Sequence, residues 1–168
     1  MKPIRILGVG NTFAGDDAIG AQIGGKLEFN RSDLVEVVEA GLSGLHLLDL
    51  MEGAEAVILI DAIFSGRPPG TIHRLEIPRD LAVLYTPAWN SQSPSTHSFG
   101  LGESLTLGAT LRTLPPTVVV FGIEVRHTTL GENLSPEVHQ ATETLIKCVQ
   151  TEVEKAVSHI GARVVPAE

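Results

Sequence analysis

Two adjacent carboxylates, Asp16 and Asp17, stand in Gly8-Val9-Gly10-Asn11-Thr12-Phe13-Ala14-Gly15-Asp16-Asp17-Ala18-Ile19-Gly20, between an apolar run and a helical pattern. Strand, glycine loop and helix is the usual frame of a phosphate site. The acids argue against that use, because a phosphate would compete with them for the same positive helix end. The dinucleotide fingerprint also fails, since Phe13 stands where its third glycine should be, and no Lys-Ser or Lys-Thr pair completes a P-loop. The turn is built to present carboxylate, to a cation or for acid–base work.

Sites in open α/β sheets form beyond the carboxyl ends of the strands. That rule adds Glu39, Asp61, His97 and Glu124 to the two acids. Asp61 is the most informative, because it interrupts the apolar run Ala56-Val57-Ile58-Leu59-Ile60-Asp61-Ala62-Ile63. A carboxylate there must be paired, protonated or bound to a cation unless it caps a loop through nearby amides. One of Asp16 and Asp17 caps the helix and the other is free to face a cleft. Two carboxylates and the His97 imidazole, from three separate segments, make a facial set suited to a divalent first-row metal with open coordination positions. His46, His73, His127, His139 and His159 show no metal-ligand spacing and read as structural or solvated. Cys148 falls on the apolar stripe of the last helix, and no Gly-x-Ser-x-Gly elbow exists.

The elements that must position these groups follow from periodicity and turn residues. Strands are expected at Pro3 to Val9, Leu34 to Ala40, Ala56 to Ile63 and Pro116 to Val125, with an edge strand at Thr71 to Ile77 that breaks the parallel pattern. Helices are expected at Ala18 to Leu27, Leu42 to Met51 and Phe99 to Leu111. A long last helix has Ser135 as cap and Pro136 at its first position, and it ends at Gly161 before a short tail strand from Ala162 to Val165. Residues 79–96, rich in Ser, Asn and Pro, form a long loop ahead of His97. The order is that of an α/β fold, a three-layer α/β/α sandwich on a twisted, mostly parallel sheet of about five strands. It forms a single domain over residues 1–168.

Composition narrows the function. Of 168 residues, 43% are hydrophobic and 19% charged, with a net charge of −8. That acidity disfavours nucleic acid and anionic membrane as principal partners and leaves room for a basic or metal-bearing protein. No apolar stretch approaches the roughly 18 residues of a membrane span, and the start lacks a signal-peptide pattern. A single cysteine fits a reducing, cytoplasmic compartment.

With Gly8-Val9-Gly10-Asn11, Gly15-Asp16-Asp17-Ala18-Ile19-Gly20, Asp61-Ala62-Ile63, Thr96-His97-Ser98-Phe99-Gly100-Leu101 and Leu134-Ser135-Pro136-Glu137-Val138, the chain resembles the NiFe-hydrogenase maturation endopeptidases. The resemblance implies a peptidase of aspartic type that removes the C-terminal extension of a hydrogenase large-subunit precursor after nickel insertion. It implies that Asp17, Asp61 and His97 contact nickel carried by the substrate, with no tightly held cofactor. The position of Asp17 is often Glu in relatives, that of Glu39 is often Asp, and that of Val125 is often Pro. Two other classes compete. A phospho-acceptor domain needs a lysine after its last core strand, and Gly122-Ile123-Glu124-Val125 has none. A nickel carrier on the same fold would bind the metal and cleave nothing.

Overall fold

The structure is a computed structural model that describes residues 2–29, 32–42, 44–86 and 100–164, with side chains through 161. Five strands are present: β1 (Ile4–Val9), β2 (Val35–Gly41), β3 (Ala56–Ile63), β4 (Ile72–Ile77) and β5 (Thr117–Glu124). They form one sheet in the order β2-β1-β3-β5-β4. The first four positions are mutually parallel, and β4 is an antiparallel edge. β4 pairs with β5 and not with β3, so residues 64–71 carry the chain across the width of β5. From β1 the chain winds one way to β2, then returns past β1 to β3. The gap between β1 and β3 is therefore the point where ligands bind in such sheets.

Strand alternation sorts the core into two faces. Ile4 and Ile6 of β1, Ile58 and Ile60 of β3, and Val119, Phe121 and Ile123 of β5 form one cluster with the helices α1 (Ile19–Gly24) and α4 (Pro136–Val164). Leu7 and Val9, Val57 and Leu59, and Val118 and Val120 point the other way. They pack with α2 (His46–Met51), α3 (Leu101–Leu111) and the 3₁₀ turn Leu81–Tyr85. Each fully buried aliphatic of this kind stabilises the fold by roughly 1.5–3 kcal/mol. Cys148 packs against the first cluster, as its place on the stripe implies.

The helices depart from expectation at their ends. α1 is six residues long and follows a single 3₁₀ turn, Gly15–Ala18. The consecutive Gly24 and Gly25 stop it early, because each forgoes about 1 kcal/mol of helix propensity. α2 starts at His46 instead of Leu42, where the His46 Nε2 atom lies 2.7 Å from the Ala40 carbonyl and ties the helix start to the end of β2. α4 runs straight through Gly161, so residues 162–164 are helix and no tail strand forms there. One glycine near an end costs too little to terminate a helix already held by packing. Among the described residues, no helix is long and apolar enough to cross a membrane.

Candidate active site

The loop after β1 carries the first acids, and its path is set by backbone contacts. Gly10 has φ +125, and a Cβ there would lie 2.1 Å from the Asp17 carbonyl oxygen, so only glycine lets the loop fold back on its own turn. The Gly10 N–H donates to the Gly41 carbonyl at 2.8 Å, joining the ends of β1 and β2. The Asn11 side-chain oxygen accepts the Phe13 N–H at 3.0 Å and closes the bend. Under the loop, Gly8 and Gly20 let α1 rest on the strands backbone to backbone. A Cβ on Gly8 would be 2.4 Å from the Gly20 carbonyl, and one on Gly20 would be 2.6 Å from the Val9 carbonyl and 2.9 Å from that of Ile60.

The two neighbouring acids have separate tasks. Asp16 is fully buried. Its Oδ1 accepts the Ser135 N–H at 2.5 Å, and its Oδ2 accepts the Ser135 hydroxyl at 2.9 Å, the Arg126 N–H at 2.8 Å and the His127 N–H at 3.4 Å. It staples the β1–α1 turn to the loop after β5 and to the start of α4. Ser135, expected as a helix cap, spends its hydroxyl proton on this acid. Asp17 is half-buried and turned to the other side. Its Oδ2 accepts one backbone N–H, from Asn11, at 2.7 Å. Burial raises its pKa above the ordinary carboxylate value, and the Asn11 bond opposes the rise.

Asp61 lies near the carboxyl end of β3, paired across the sheet with Gly122 of β5. Alternation puts it on the same face as Val57 and Leu59. Its pKa is pushed up to about 7, first by burial and then by the charge of Asp17, against a backbone hydrogen bond at Ala62. Asp17 and Asp61 are thus close enough to sense each other's ionisation, one after β1 and one at the end of β3, on the two sides of the switch point. Among the described residues the pair is short of donors and of positive charge: Asp17 accepts one backbone N–H, and what raises Asp61 is burial and the charge of Asp17 itself. A cation seated between them would relieve both deficits, and near neutral pH Asp61 can also hold or release a proton.

The other candidates separate cleanly. Glu124 is buried and structural. Its Oε1 accepts the N–H groups of Ser65 at 2.7 Å and Gly66 at 2.9 Å, its Oε2 accepts the Ser65 hydroxyl at 2.6 Å, and His73 Nε2 is 3.8 Å away. Glu39 is exposed on the edge strand β2, in register with Gly8. His97 and most of the 79–96 loop lie outside the described residues. Among the described residues no three His, Cys, Asp or Glu side chains form a set able to hold a metal ion.

A family model described as hydrogenase maturation protease matches residues 23–152. The chain belongs to the hydrogenase maturation protease family. It is 31% identical over 170 residues to the hydrogenase 2 maturation protease of Escherichia coli, a match covering 98% of this chain and 96% of that protein. Its fold is that of the hydrogenase maturating endopeptidase HybD from E. coli, with a TM-score of 0.77 at 28% identity over 93% of this chain and 94% of that one. The relative HupD of Thiocapsa roseopersicina is longer. There the identity is 29% over 143 residues, covering 82% of this chain and 61% of that protein. As a member of this family the chain is a peptidase.

Proposed function

We propose that this protein is the endopeptidase that removes the C-terminal extension of a NiFe-hydrogenase large-subunit precursor once nickel has been inserted. Asp17, Asp61 and His97 contact the nickel that the substrate carries and set the scissile peptide beside it. The observation that carries this reading is the pair of Asp17 and Asp61 at the switch point of the sheet, donor-poor among the described residues, where burial and the charge of Asp17 push the Asp61 pKa up to about 7. Such a pair favours a divalent cation over an empty cleft. Bound to these acids, the substrate's metal would polarise the peptide carbonyl or acidify a water. Asp16 holds the turn that carries Asp17 and touches no substrate. The reaction takes place in the cytoplasm, and the protein keeps no tightly bound cofactor of its own.

The test is to incubate the purified protein with nickel-loaded and nickel-free precursor and follow the size of the large subunit. Shortening of the loaded form alone is the expected result. Equal processing of both forms overturns the role given to nickel. Stoichiometric nickel binding with no cleavage of either form would make the protein a carrier.

A further inference from the structure

We propose that Phe13, Leu42, Leu45 and Leu130 form an apolar collar that docks the folded body of the protein whose tail is cut at Asp17 and Asp61. The inference rests on the peptidase reading of that site and adds how the substrate is held. Among the described residues, seven large hydrophobic or aromatic side chains are exposed, and the three most exposed are Phe13 at 76%, Leu130 at 71% and Leu42 at 66%. All three stand at the carboxyl end of the parallel strands. Phe13 is in the loop after β1, Leu42 directly follows β2, and Leu130 is in the loop after β5. Leu45, 53% exposed, precedes α2 at the same end.

These side chains are displayed by ordered backbone. The Phe13 N–H is held by Asn11 Oδ1 at 3.0 Å, and the Phe13 carbonyl accepts the Gly131 N–H at 2.8 Å, which ties its loop to that of Leu130. The Gly10 N–H joins the same loop to Gly41, next to Leu42. The three loops are therefore tied to one another at the end of the sheet that carries Asp17 and Asp61. Because the exposed side chains come from separate loops at one end of the sheet, a folded surface seated on that end meets all of them, whereas a single extended strand does not. Four side chains fall well short of the roughly 800 Å² per partner of a stable interface, so a permanent dimer of this chain is disfavoured. A transient enzyme–substrate contact suits them, since the cleft adds its own contacts to the tail.

The test compares three proteins on nickel-loaded precursor: the unaltered chain, the double variant Phe13→Ser with Leu130→Ser, and Leu111→Ser. Leu111 is 58% exposed at the far end of α3, on the side away from the cleft, and serves as a matched control. The double variant should raise KM about tenfold with kcat within twofold, and Leu111→Ser should leave both unchanged. An unchanged KM in the double variant, or an equal rise with Leu111→Ser, overturns the collar. So does sedimentation showing a dimer that the double variant splits, because the collar would then belong to a second copy. If the unaltered chain binds the precursor but never cuts it, the peptidase reading fails alone. In that case loss of precursor binding in the double variant still sustains the collar, and undiminished binding still overturns it.

Discussion

Asp16 and Glu124 are buried more deeply than Asp17 and Asp61, but they are better supplied with donors. Four N–H or O–H groups face the Asp16 carboxylate and three face that of Glu124. Asp17 receives one backbone N–H, and Asp61 sits beside Asp17's charge with burial working against its ionisation. The difference separates acids that hold the fold from acids that are kept in need of a partner. A saturated carboxylate has spent its lone pairs on the chain. An undersupplied one retains them for a cation, a proton or a substrate.

Removing the undersupplied pair should cost function and little structure. Asp61→Asn or Asp17→Asn is expected to lower processing of nickel-loaded precursor by about 10²–10³-fold, the scale of losing one electrostatic stabiliser of a reaction. Near-UV circular dichroism should stay native. Retained activity would take the residue out of the site and erase the contrast.

The saturated acids should behave in the opposite sense. Asp16→Ala leaves the Ser135 and Arg126 N–H groups without their acceptor in a buried place, and about 3 kcal/mol of stability should be lost in urea denaturation. A loss below about 1 kcal/mol would mean that water replaces the acid. Glu124→Gln keeps an acceptor for the Ser65 and Gly66 N–H groups and turns an amide donor toward the Ser65 hydroxyl. Its expected cost is smaller, about 1–2 kcal/mol by the same measurement.

The gentlest probe is pH. The folded-state pKa of Asp61 is raised from 3.8 to about 7, so between those values the native state binds more protons than the unfolded chain. The stability contributed by protonated Asp61 is full below about pH 4 and is lost as pH rises through about 7. Asp61→Asn should therefore melt at a higher temperature than the unaltered chain at pH 8, with the gain vanishing near pH 4. A constant difference across that range would show that Asp61 is not held out of water.

Much of this was legible in the sequence because it depends on neighbours. The apolar run of β3 has the bounds its residues imply, Ala56–Ile63, and Asp61 stands out within it as an acid in an apolar strand. The edge strand β4 is likewise visible from its weaker alternation and the proline after it. The role of Asp16 was not legible, because its partners Arg126 and Ser135 lie 110 and 119 residues away. Nothing local distinguishes a carboxylate that will meet a distant hydroxyl from one that will cap its own helix. Glu124 shows the converse. Its place after the last core strand made it a candidate, yet the Ser65–Gly66 turn folds back and uses it up. Helix ends were the least readable, since Gly24 and Gly25 stop α1 while Gly161 fails to stop α4.

The contact of Gly8 with Gly20 gives the site an independence from the rest of the molecule. Where helix and strand meet through side chains, every change of core volume shifts one against the other. Here the turn bearing Asp17 is gauged against main chain, so Ile6, Ile19 or Ile58 can be exchanged for other aliphatics without resetting the distance to Asp61.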